Sequence, residues 1–189
     1  TDASYWYPRP GHCRIDHALH TVKALAARLG RDHPYVAQWL RVQRAVFGAC
    51  SMERWRQSAE ERARPAPPIT LPRAMTLDDP ALARQQRDDR AYQSASLLFY
   101  RRDPGARAAF RAIARSASPH AHIARYMTVA IDAQGLDDYI PDREADTRAA
   151  RNAQARTALT GAEAILADPA LADIHPLAQG MIGYLGYWT

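Results

Sequence analysis

Residues 90–133 read RAYQSASLLFYRRDPGARAAFRAIARSASPHAHIARYMTVAIDA, and this stretch decides the fold. Its apolar side chains fall in three blocks at helical spacing: Tyr92/Ala95/Leu98/Phe99, Ala106/Ala109/Phe110/Ile113 and Ile123/Tyr126/Met127/Ala130. The joints between them are Asp103-Pro104 and Ser118-Pro119. Each offers a capping oxygen followed by a residue with fixed φ, which predicts a helix start. Three amphipathic helices follow, and none can bury its stripe alone, so each needs a neighbour. The expected fold class is all-α: stacked antiparallel helical hairpins in an irregular, tetratricopeptide-like solenoid of about seven or eight helices.

Upstream, Ile15, Leu19, Val22, Leu25/Ala26 and Leu29 describe a first helix with a C-terminal stop at Gly30. His33-Pro34 restarts the chain, and Val36, Trp39/Leu40, Val42/Gln43 and Val46/Phe47 give a second stripe up to Cys50. The short turn predicts antiparallel packing. Cys13 lies about 17 residues before that turn and Cys50 about 17 after it, so both sit at one level of the hairpin. That is within reach of a disulfide, whose Cα atoms must approach to ~4.4–6.8 Å. The alternative is two unconnected buried thiols, the usual state in a reducing cytosol.

Ser51 can cap a short further helix anchored by Trp55, which ends in a proline-rich crossover at residues 64–72. Asp79-Pro80 then opens a long helix to about Arg101. Downstream of an acidic irregular stretch, an alanine-rich helix spans Thr147 to Ala167, Asp168-Pro169 caps a turn, and HPLAQGMIGYLGYW is a last, largely apolar helix. Residues 1–11 are read as an extended aromatic arm, and 12–189 as a single helical domain.

Composition bounds function more than it assigns it. The 189 residues carry a formal charge of +5, a pI near 9.5 and a mean hydropathy of −0.44, which is globular. No apolar run approaches the ~20 residues of a membrane span. Lys23 is the sole lysine; the arginines are scattered among acids, so the charge reads as a solvated helix surface and not a nucleic-acid stripe. The chain opens on Thr1, which fits a processed protein or an excised piece.

Chemistry-bearing patterns are few. His12, Asp16 and His20 follow at i, i+4, i+8 and could share a helical face as zinc or nickel ligands, although the HExxH arrangement is missing. His120 and His122 should point to different faces. The acids of GLDDYIPDREAD lack the EF-hand pattern. No P-loop, GxSxG, GxGxxG or CxxC motif occurs, so no catalytic residue and no cofactor is expected.

The central segment resembles a tetratricopeptide-type hairpin, with Ala106, Phe110 and Ile113 at that repeat's spacing, a proline at 119, and Arg102 where the repeat carries glycine. A second likeness rests on WLRVQRAVFGAC, ending at Cys50, then on Asp89-Arg90-Ala91-Tyr92-Gln93, Phe99-Tyr100, Phe110, Ile113-Ala114, Ser118-Pro119 and Tyr126. In these the chain resembles large, uncharacterised exported bacterial proteins built of such helices. That resemblance implies a cysteine at both 13 and 50, a non-cytoplasmic compartment and a longer parent chain, with no known activity.

The functional expectation is a non-catalytic interaction or scaffold module, periplasmic or extracellular (alternatively cytoplasmic), that binds a protein or peptide partner. It would use a helical groove and the Tyr5-Trp6-Tyr7 arm. The competing expectation is a metal-binding protein or metal-dependent enzyme using His12, Asp16 and His20.

Overall fold

The computed structural model describes residues 13–52, 69–134, 136, 144–186 and 188, for 51, 52 and 144–147 by backbone alone. Among them every regular element is helical: α1 (Ile15–Leu29), α2 (Pro34–Met52), α3 (Pro80–Tyr100), α4 (Ala106–Ala114), α5 (Ala121–Ala133), α6 (Glu144–Leu166), a 3-10 helix (Pro169–Ile174) and α7 (His175–Leu185). The chain is all-α, with helices packed against their neighbours, as the periodicity predicts. The arm, with Tyr5, Trp6 and Tyr7, lies outside the described residues, as do Trp55 and the first part of the 64–72 crossover. Ser51 lies inside α2, and the short helix expected after it falls outside the described residues.

Five Xaa-Pro steps start helical segments by one device. Proline has no N–H, so the first free donor is two residues beyond Xaa. That donor meets the Xaa side chain every time: Tyr35 N to His33 Nδ1 (3.1 Å), Ala81 N to Asp79 Oδ1 (2.8 Å), Gly105 N to Asp103 Oδ1 (2.7 Å), His120 N to Ser118 Oγ (3.2 Å) and Ala170 N to Asp168 Oδ1 (3.0 Å). At the end of α3, Arg102 takes a left-handed φ of 54°. Asp103 N donates to Leu98 O and Arg102 N to Phe99 O, a Schellman closure built without glycine.

The chain forms two compact units, Cys13–Ala109 and one formed from Phe110 onward, the boundary falling inside α4. In the first, α1 and α2 form an antiparallel hairpin. The Cys13 and Cys50 sulfurs meet at bonding distance across it, with Cα atoms 5.8 Å apart. Three contacts tie α1 and its N-cap to α3: the main-chain N of Arg14 donates to the Tyr100 hydroxyl, His17 stacks edge-on to Tyr92 and Arg28 reaches Gln85. The pairs 14/100 and 28/85 make α1 antiparallel to α3. By contrast α2 and α3 run parallel, since Tyr35 pairs with Asp89 and Trp39 with Gln93.

The α1 stripe departs from expectation. Ile15 and Leu19 are 60% and 46% exposed, while Ala18, Thr21 and Leu25 are buried. The face of α1 toward α3 carries His17 and Arg28, so the helix has a polar as well as an apolar side to bury. Leu40 on α2 is also exposed.

In the second unit α5, α6 and α7 pack pairwise, and the 3-10 helix touches all three. Gln154 Nε2 donates to Gln134 O, and Gly161 lies against Val129, so α5 and α6 are antiparallel. Ala155, Ala158 and Ala162 are fully buried on α6, and their small size permits close approach. The last helix buries Ala178, Met181, Tyr184 and Leu185.

Two stability outcomes follow from this packing. Replacing Cys13 and Cys50 by serine releases a loop spanning 37 positions and should cost roughly 3–4 kcal/mol by the chain-entropy model, read by urea unfolding. A Cβ at Gly161 would sit 2.9 Å from Val129 Cγ2. Overpacking of ~1–3 kcal/mol exceeds the ~1 kcal/mol helix-propensity gain, so Gly161→Ala should destabilise. In a Val129→Ala background the same change should stabilise.

Candidate functional site

Residues 69–79, ITLPRAMTLDD, form a non-helical strap that returns along α2 and α3. Such a segment must place its backbone polar groups somewhere, and three side chains receive them. Gln86 brackets one residue: its Oε1 accepts from Met75 N (3.0 Å) while its Nε2 donates to Met75 O (2.8 Å). Gln38 Nε2, from α2, donates to Arg73 O (2.5 Å), and an Arg90 guanidinium nitrogen to Pro72 O (2.6 Å). These contacts read main chain and no side chain. Anchorage comes from Met75 and Leu77, partly buried against the cluster of Leu25, Tyr35, Val36, Trp39 and Leu82. Ala74, Thr76 and Asp78 face solvent, the two-residue alternation of extended chain.

Beside the apolar cluster, the contact between α2 and α3 is polar. Gln38, Gln86, Asp89 and Gln93 are all buried, and Gln93 Nε2 donates to Trp39 O (3.3 Å) and to Gln43 Oε1 (3.2 Å). The Tyr35 hydroxyl donates to Asp89 Oδ2 at 2.5 Å. Burial, and then the adjacent Asp89 charge, push the Tyr35 phenol well above its ordinary value. Burial lowers that of Arg90, which the neighbouring Tyr35 partly offsets. The indole N–H of Trp39 is buried with no acceptor among the described residues.

The other sequence candidates do not converge. His12 lies outside the described residues, while Asp16 and His20 are exposed on α1. Among the described residues no three His, Cys, Asp or Glu side chains gather as a metal site. His120 is buried, whereas His122 is half-exposed with its Nδ1 2.7 Å from Asp173 Oδ1. Gln38 and Gln86 were not singled out by sequence reasoning, and Arg90 only as part of a resemblance, without a role. The available signal was the run Gln86, Asp89/Arg90, Gln93 on α3, polar residues at the spacing of a core stripe. Comparison with family models, curated proteins and solved structures gives no match for this chain.

The Tyr35–Asp89 contact has a pH signature. A phenol raised in the fold contributes stability below the unfolded value of 10.0 and loses it as pH rises beyond that. Tyr35→Phe should therefore cost about 1.5–3 kcal/mol at pH 7, and its stability should fall less steeply than the native chain's between about pH 10 and 12. Urea midpoints at each pH give both quantities.

Proposed function

We propose that this chain is a non-catalytic protein-interaction module of an exported helical protein, and that its α2/α3 groove receives a non-helical segment of a protein or peptide partner. The observation that carries the reading is the strap itself. The groove holds a stretch of polypeptide by bonds to Pro72 O, Arg73 O and both polar atoms of Met75, groups that every peptide owns. Recognition of this kind draws affinity from main chain and selectivity from alternate side-chain anchors. A periplasmic or extracellular location is supported by the Cys13–Cys50 bond, which persists in oxidising compartments. No helix among the described residues is long and apolar enough to cross a membrane.

The test uses the full chain with residues 69–77 replaced by a Gly/Ser linker of equal length, and a fluorescent peptide of sequence ITLPRAMTLDD. Anisotropy should show saturable binding in the micromolar range. N-methylation of the peptide's methionine amide, which deletes the bond to Gln86 Oε1, should weaken it about tenfold, equivalent to ~1.4 kcal/mol. Absence of saturable binding by a linker variant that keeps its helical circular dichroism and its disulfide would refute the reading.

A further inference from the structure

Resting on that reading of the groove, we infer that residues 69–77 are a displaceable occupant that keeps the intact chain self-blocked. The incoming partner is then a peptide segment carrying apolar residues two positions apart, as Met75 and Leu77 are, with a proline three positions before the first.

Three features set the strap apart from a permanent part of the core. No residue from 69 to 79 is fully buried. Of the strap, Met75 and Leu77 pack on the apolar cluster and are only partly buried, so the penalty for lifting them, which scales with the area exposed, is limited. Its remaining bonds go to Gln38, Gln86 and Arg90, whose amides and guanidinium can exchange a carbonyl for water. Second, every polar bond to the strap is a main-chain bond, so any polypeptide in the same path reproduces it. Third, the cluster on which Met75 and Leu77 sit includes Trp39, whose buried indole N–H has no acceptor among the described residues. A peptide that brings an acceptor to that donor gains a bond the strap does not make. The strap is tied to the bundle at Asp79, whose side chain caps α3, so displacement lifts residues 69–77 and leaves the helix start intact.

The experiment compares the affinity of one probe, the ITLPRAMTLDD peptide, for the intact chain, for the Met75→Ser/Leu77→Ser chain and for the linker variant. The intact chain should bind at least tenfold more weakly than either loosened chain. Hydrogen exchange on the intact chain supplies a reading independent of any variant's folding: saturating peptide should raise exchange at the Met75 amide. Equal affinity across folded proteins would overturn self-blocking while leaving the groove a peptide site. Binding by none of the folded proteins would overturn both. Peptide bound to the intact chain with Met75 protection unchanged would place the peptide elsewhere and overturn the inference. A loosened chain that dimerises instead of binding peptide would assign the groove to a second copy's strap, with the same consequence.

Discussion

Two neighbouring helices that point the same way cannot be joined by a tight turn. The α2/α3 pair is of this kind, shown by the matched pairs Tyr35/Asp89 and Trp39/Gln93. The polypeptide must therefore travel back along the bundle before α3 can begin, and that return path brings peptide groups against helix surfaces. Carbonyls and amides lodged there without partners would be costly. Placing glutamines at 38 and 86 and arginine at 90 resolves the conflict, because each presents donors on an arm long enough to reach a neighbouring backbone. The polar interior of the unit is thus a consequence of its topology, and the groove is a consequence of its polar interior.

Much of this architecture was legible in the sequence. The five Xaa-Pro steps are local devices, complete within three residues, and local devices survive without knowledge of the tertiary fold. The level pairing of Cys13 with Cys50 was legible for a similar reason: helix rise and a short turn fix it. What failed was the inner face of α1. Periodicity assigned Ile15 and Leu19 to the core, yet Ala18 and Thr21 are buried instead. A helix that serves two neighbours has two faces to satisfy, and α3 contacts His17 and Arg28. The apolar period reports only one of those demands.

The groove was hidden for a related cause. Reading for amphipathic helices scores apolar residues inward and polar residues outward. On α3, Gln86, Asp89 and Gln93 follow the inward period, so the pattern that marks a core face is written in the residues the method discounts. Asp89-Arg90-Ala91-Tyr92-Gln93 stood out only as a resemblance, without a role. Its role becomes visible once the strap lies across it. In the second unit no such inversion occurs: Ile123, Tyr126, Met127 and Ala130 are all buried as their spacing indicates. There the helices meet through alanine and glycine, and sequence and packing say the same thing.

The sulfur bridge between Cys13 and Cys50 also decides how the first unit bears tension. Force entering through the residues before Cys13 and leaving through those after α2 passes from one helix end to the other across a covalent bond. The hairpin between them is bypassed, so its turn at Gly30 and its buried seam are never peeled apart. Stretch is delivered instead to the chain beyond Met52, where the strap at residues 69–77 is held by Gln38, Gln86 and Arg90 and by the partly buried Met75 and Leu77.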